Sequence, residues 1–443
     1  MSMKRGLFYT FLTQAPTLLM YFVASTLMTR MLGEVGRGEY ALITNFGALL
    51  ALVMGMNIGV GITYFISRTP DHPASAIGTA TTLLLLNIVA VPLLLWLLSL
   101  SGILSNVLMP DGREHWAYWG YVYMTVVLSL VNSAVAAVLL GTKRFAALNW
   151  MSMLSAGLSA LGMLVLFLLP DERGNDEVFP LVLQVTAIAS TLVTLVWCVI
   201  YAVNVRIPPV PVWSWRVMRP MITFSAVGHL SNLVNLINYR FDVWVVDQYK
   251  GAAELGLYAV AVGLGQLLFN VPEPFSRVVQ PYLFGQQRNE MLSRFKAVAR
   301  LNATVLTVLA IGLGLFAPWI IPLLFGSEFA PSILPLQLLL PGIVFSGMAK
   351  LLAQLVIQGG LQRFNLMATT VAVIVTITLD LALIPRWGMQ GAAVASTLSY
   401  AVGLAILLGA IRQRMGISIN DLFLLRPSDI TSLLRQAPWA ATR

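Results

Sequence analysis

Residues 220–250 read PMITFSAVGHLSNLVNLINYRFDVWVVDQYK, and the rest of the chain is organised around what this stretch requires. It is long enough to cross a bilayer, whose hydrocarbon core takes about 20 helical residues. Yet Ser225, His229, Asn232, Asn235, Tyr239 and Asp242 recur every three or four residues, which places them on one helical face. Arg240 and Asp247 add charge towards the far end. A polar face does not look at lipid cheaply. It faces a water-filled cavity, as a functional site would, or it hydrogen-bonds neighbouring helices and holds a bundle together.

The composition agrees with a membrane setting. Hydrophobic residues make up 58% of the 443 and charged residues only 10%, far below the roughly one quarter charged that is usual in soluble domains. The single cysteine, Cys198, excludes an intrachain disulfide and a cysteine-based metal site. Met1–Gly6 carries two basic residues ahead of a long apolar segment with no small-residue cleavage pattern, so a retained first helix is expected.

Twelve apolar segments of spanning length follow in order: 7–32, 41–67, 74–100, 116–140, 146–170, 178–203, 220–248, 257–284, 301–325, 331–358, 366–385 and 391–411. The sequence therefore predicts an all-α polytopic membrane protein. Residues 1–205 form a first six-helix lobe and 220–412 a second. Between them lies a proline- and tryptophan-bearing linker, 206–219, and a tail covers 413–443. With the N-terminus in the cytoplasm, the Lys and Arg residues outside helices divide 18 inside to 6 outside. That bias follows the positive-inside rule and accounts for the net charge of +9 through anionic lipid, without nucleic acid. An even helix count puts both termini in the cytoplasm. The tail lies either on the membrane surface or in disorder.

The chain also repeats itself. At an offset of 218, Leu12, Tyr21, Gly33, Gly38, Tyr40 and Ala41 match Leu230, Tyr239, Gly251, Gly256, Tyr258 and Ala259. Gln14 and Thr17 correspond to Asn232 and Asn235, and 141–145 (GTKRF) echoes 360–364 (GLQRF). Six helices separate each copy from its partner, so both enter the membrane in the same direction. The two halves are then related by a pseudo-twofold along the membrane normal, with substrate expected between them. Gly33 and Gly38 would let a tight turn over 33–41 adopt positive φ, and 251–259 echoes that turn with the same glycine spacing.

The runs 238–242 (NYRFD), 253–259 (AELGLYA) and 383–393 (LIPRWGMQGAA) resemble Wzx-like polysaccharide flippases of the multidrug/oligosaccharidyl-lipid/polysaccharide exporter superfamily. The resemblance implies two lobes forming a V around a central cavity and working by alternating access. It implies a polyprenyl-diphosphate-linked oligosaccharide as substrate, moved from the cytoplasmic to the outer leaflet of a bacterial inner membrane for O-antigen, capsule or exopolysaccharide synthesis. It points to membrane lipids, glycan polymerases and chain-length regulators as partners. It also implies proton or sodium coupling, with no resident cofactor.

An anionic diphosphate crossing a low-dielectric region needs fixed cations on its path. The intramembrane candidates are Arg240, Arg277 and Lys350, with Asn232, Asn235, Tyr239, Gln14, Thr17 and Tyr21 lining the cavity. Glu273, four residues before Arg277, would otherwise neutralise it, and Lys350 would otherwise snorkel to the inner interface. Asp242 and Asp247 are the candidates for ion coupling, while Asp380, five residues before Pro385, reads as a structural residue near the interface. His229 reads as a packing residue. No catalytic or metal-ligating set stands out, and no phosphate-binding glycine loop followed by Lys-Ser/Thr occurs. Two alternatives stay open: an ion-coupled multidrug antiporter of the same superfamily and a membrane-embedded glycan polymerase or ligase.

Overall fold

Apolar helices form every long element of the computed structural model, which describes residues 3–68, 73–102, 116–169, 175–272 and 288–423; no strand occurs among them. The order is α1 (Met3–Gly55), α2 (Ile58–Arg68), α3 (Pro73–Leu100), α4 (Trp116–Gly141), α5 (Phe145–Leu168), α6 (Asn175–Val205) and α7 (Trp215–Phe269). After these come α8 (Arg288–Phe325), a 3-10 turn (Ser327–Ser332), α9 (Ile333–Gln358), α10 (Gln362–Met415) and the short α11 (Asn420–Phe423). Nine helices among the described residues are long and apolar enough to span a bilayer. Large apolar side chains such as Val89, Leu168, Leu315 and Leu323 lie exposed on them, an exterior suited to lipid and unlike a soluble surface.

Three of the nine are too long to be single spans. α1, α7 and α10 run to 53, 55 and 54 residues, or about 80 Å of helix against a hydrocarbon core of about 30 Å. Each is kinked at one glycine: Gly33 (φ 62°, ψ −170°), Gly251 (φ 82°, ψ 178°) and Gly388 (φ 56°, ψ −137°). Backbone with positive φ and ψ near 180° is almost confined to glycine. The turns expected over 33–41 and 251–259, and the break expected between the segments 366–385 and 391–411, are thus compressed into single residues, and helix resumes at once. Divided at these glycines, the nine become twelve helical segments among the described residues. Gly33 and Gly251, paired by the repeat, share one backbone conformation, so the duplication visible in the sequence extends to local geometry.

The chain divides into two compact units, Met1–Leu236 and Ile237–Arg443. The division falls inside α7, beyond the linker, because the first turns of α7 belong to the first unit. Met221 and Ser225 are fully buried there, against Gly61 of α2. Asn57, which together with Met56 interrupts helix with positive φ between α1 and α2, lies against Gly228. A Cβ on Gly61 would stand 2.6 Å from Met221 Cγ and 2.9 Å from the Met221 carbonyl oxygen. Gly61→Ala is therefore expected to destabilise the protein by about 1–3 kcal/mol, read as a lower midpoint in detergent thermal unfolding. An unchanged midpoint would mean that α2 and α7 separate there without cost.

The linker is held down rather than free. Val212 N–H donates to the Gly78 carbonyl (3.1 Å), Thr82 Oγ1 donates to the Val212 carbonyl (3.0 Å) and Tyr201 OH donates to the Ile207 carbonyl (2.6 Å). The absence of a side chain on Gly78 permits this, since a Cβ there would lie 2.8 Å from the Val210 carbonyl oxygen. At the other end of the chain, the beginning of the tail packs on α8. Leu422 is fully buried, Lys296 Nζ pairs with Asp421 Oδ2 at 2.9 Å, and Arg300 donates to the Asp421 carbonyl at 2.8 Å.

Candidate functional site

The second unit gathers polar side chains from four helical segments into its interior. From α7 before its kink come Asn238, Tyr239, Arg240 and Asp242; just beyond the kink stands Tyr258. Asp242 is 6% exposed. Its Oδ2 accepts a hydrogen bond from Tyr258 OH, and its Oδ1 accepts one from the Val243 N–H at 2.9 Å. One turn earlier, Asn238 Oδ1 lies 2.9 Å from Thr376 Oγ1 and 3.4 Å from Ser399 Oγ. The two hydroxyls are 2.7 Å apart, and Ser399 also reaches the Ala372 carbonyl at 2.9 Å. Two hydroxyl protons therefore serve four contacts, which leaves the cluster rich in acceptor oxygens.

Asp380 lies one turn beyond Thr376 on α10. It is fully buried, and neither carboxylate oxygen has a hydrogen-bond partner among the described residues. Its charge and that of Asp242 act on each other and on Tyr258 and Tyr400. Asp380 was expected as a structural residue near the interface; the structure buries it inside the second unit. Pro385 does not end the helix, which continues to the kink at Gly388, so Asp380 stays inside the bundle. The signal was available in the sequence: an acid in a long apolar run is a functional candidate by default.

An aromatic and cationic border adjoins the acids. The ring centroid of Tyr239 is 5.7 Å from that of Tyr400 and 5.8 Å from that of Phe269, and Lys350 Nζ lies 4.5 Å over the Phe269 ring. Arg240 is half-buried and its charge acts on both Asp242 and Tyr400.

Of the residues singled out in the sequence, Tyr239, Arg240, Asp242 and Lys350 thus meet in one cluster. Asp247 is buried five residues further along α7, off the Asp242 face. Asn232 and Asn235 are exposed in the first unit, where Ser225 is fully buried and His229 half-buried. Tyr21 is 44% exposed and Thr17 half-buried, both on α1. Gln14 is also on α1, with its side chain outside the described set. Arg277, with Glu273 and Pro274, lies outside the described residues. Asn238, Thr376, Ser399 and Tyr400 were not anticipated. Among the described residues no three His, Cys, Asp or Glu side chains group as metal ligands.

A bound cation fits these residues on one observation. Arg240 and Lys350 balance Asp242 and Asp380 in formal charge, so the fit rests on Asp380, whose two oxygens face no donor among the described residues. Buried charge of this kind calls for a compensating proton or metal ion.

The fold matches solved membrane transporters. A structure of the lipid II flippase MurJ in an inward closed conformation aligns with a TM-score of 0.77 at 13% identity, covering 98% of this chain and 93% of that one. An inward-facing multidrug resistance transporter of the MATE family, in the MOP superfamily, aligns at 0.73 and 15% identity, covering 90% and 94%. A MOP superfamily transporter from Pyrococcus furiosus, described as having a binding pocket of reversed polarity, aligns at 0.56 and 13% identity, covering 91% and 95%. No curated protein sequence matches the chain. Residues 3–287 match the family described as polysaccharide biosynthesis protein, and the chain belongs to that family.

Proposed function

We propose that the protein is a flippase for a polyprenyl-diphosphate-linked oligosaccharide in a bacterial inner membrane. It carries its substrate from the cytoplasmic to the outer leaflet by alternating access, with both termini in the cytoplasm. The observation that carries this reading is a charged, oxygen-rich cluster buried in an apolar helical bundle, in a chain of the polysaccharide biosynthesis family. Buried charge inside membrane helices is costly and is kept for transport paths.

Arg240 and Lys350, with Arg277, offset the desolvation of the diphosphate; a guanidinium suits phosphate because its donors form a planar fork. Tyr239, Asn232, Asn235, Gln14, Thr17 and Tyr21 offer hydrogen bonds and ring faces to sugars. Asp242 and Asp380, with the oxygens of Asn238, Thr376 and Ser399, take the coupling proton or sodium ion, and Asp247 remains a second acidic candidate. Glycan polymerases and chain-length regulators are the expected neighbours in the membrane.

The test is reconstitution into liposomes with a lipid-linked oligosaccharide, scored by the fraction open to a membrane-impermeant glycosidase over time. Protein-dependent gain of accessibility is expected, with Arg240→Ala slowing it about tenfold or more, as loss of a charge-assisted contact does. Wild-type rates in that variant would remove Arg240 from the path. The acid pair also favours a second reading, an ion-coupled drug antiporter: cationic dye efflux without glycan flipping would establish it. The transporter-like fold speaks against a polymerase or ligase.

A further inference from the structure

An apolar groove of about 560 Å³ lies between α3, α4 and α6 in the first unit. Its walls include Ile77 and Leu84, Val135 and Val138, and Cys198 and Tyr201. The linker closes one end with Ile207, Pro208 and Pro209. That roof is fixed in place by the hydrogen bonds to Gly78, Thr82 and Tyr201 described above, so the groove is preformed. The polar groups of its walls are already used: Thr81 Oγ1 donates to the Ile77 carbonyl at 2.9 Å and Tyr201 OH to the Ile207 carbonyl. The exposed Arg206, at the junction of α6 and the linker, is the one charged residue of the lining. Val138 lies one turn before the end of α4, and the exposed Lys143 and Arg144 follow that end.

We propose that this groove is a binding site for an anionic glycerophospholipid, with one acyl chain between α3, α4 and α6 and the phosphate at Arg206. The volume lies in the range of sites that enclose small ligands. Within a bilayer, apolar contact alone selects nothing, because surrounding lipid tails are as apolar as the groove. Selection comes from the head: basic pockets between helices at the membrane surface favour anionic head groups. A lipid seated there braces the linker against α3. The groove belongs to the first unit and the acidic cluster to the second, and the proposal requires only a membrane, whatever the protein transports.

Delipidated full-length protein in neutral detergent would be titrated with phosphatidylglycerol, phosphatidylcholine of the same chains, or undecaprenyl phosphate, and followed by thermal unfolding. Phosphatidylglycerol is expected to protect at about fivefold lower concentration than phosphatidylcholine, the preference one surface cation confers. Arg206→Asn is the first variant, because Asn tolerates the positive φ (57°) of this position and the side chain is exposed. It should erase the preference while leaving the lipid-free midpoint in place. Ala134→Phe, filling the groove, should abolish protection by any of the three. If that variant does not fold, native mass spectrometry of lipid retained by Arg206→Asn decides the matter, with loss of bound phosphatidylglycerol expected. Equal protection by both glycerophospholipids, or a preference surviving in Arg206→Asn, would overturn the proposal. Tenfold tighter protection by undecaprenyl phosphate would overturn it in favour of a polyprenyl occupant.

Discussion

Asp380→Asn is expected to unfold at a temperature equal to or above that of the parent protein while losing gradient-driven flipping more than tenfold. The two effects share one cause. Asp380 is a fully buried carboxylate whose oxygens have no hydrogen-bond partner among the described residues. Holding it costs stability, and an amide of nearly the same shape removes the charge and about 1–3 kcal/mol of that cost. The same substitution removes the group that a coupling cation would neutralise. A residue kept for function at the expense of stability behaves in this way, whereas one kept for packing loses both together. The measurement pairs thermal unfolding in detergent with liposome flipping in the presence and absence of proton and sodium gradients. Gradient dependence that survives in Asp380→Asn would take coupling away from this cluster. Asp380→Ala is the control: it leaves a cavity as well as removing charge, and its stability should fall below that of Asp380→Asn.

Gly388→Ala is expected to cost about 2–4 kcal/mol, more than Gly33→Ala or Gly251→Ala at about 1–3 kcal/mol each. All three glycines hold backbone that other residues strongly resist. At Gly33 and Gly251 an added Cβ meets nothing within 4 Å, so only the backbone term applies. At Gly388 the same Cβ would stand 1.8 Å from Glu254 Oε1. That oxygen accepts the Met389 N–H at 2.8 Å, satisfying the first donor of the helix that follows. A Glu side chain swings aside cheaply, but it gives up this cap as it does so. The double mutant Gly388→Ala/Glu254→Ala should therefore lose less than the sum of the two single changes. Strict additivity in unfolding midpoints would show that the carboxylate and the kink are energetically independent.

Helix positions were readable from the sequence because hydropathy over about 20 residues depends on little else. The repeat was readable too, and Gly33 and Gly251 carry it into backbone angles. Their turns were drawn too long because a glycine-only conformation can change the chain's direction in one residue, and nothing in residue type reports that economy. The polar line on α7 led to Asp242 and Tyr239, since helical periodicity on a single segment is a local property, and Arg240 stood out as a cation in an apolar run. Thr376, Ser399 and Tyr400 stayed hidden for the opposite reason: their meeting with Asn238 and Tyr239 depends on how distant segments pack. The burial of Asp380 was hidden by a proline. Pro385 was treated as a helix end, and a membrane helix accommodated it.

The strapped linker bears on how the chain could be divided. A proline-rich connector between duplicated halves invites a cut, as a protease site or as the border between two separately expressed fragments. Here Gly78 and Thr82 hold that connector, and the burial of Met221 and Ser225 continues the first unit well past it. A fragment ending at the linker would bare the face of α2 around Gly61, and one beginning there would carry a helix whose opening turns have lost their partner. Co-expressed pieces should reassemble better when the break falls between α4 and α5, or after α9, than at the apparent hinge.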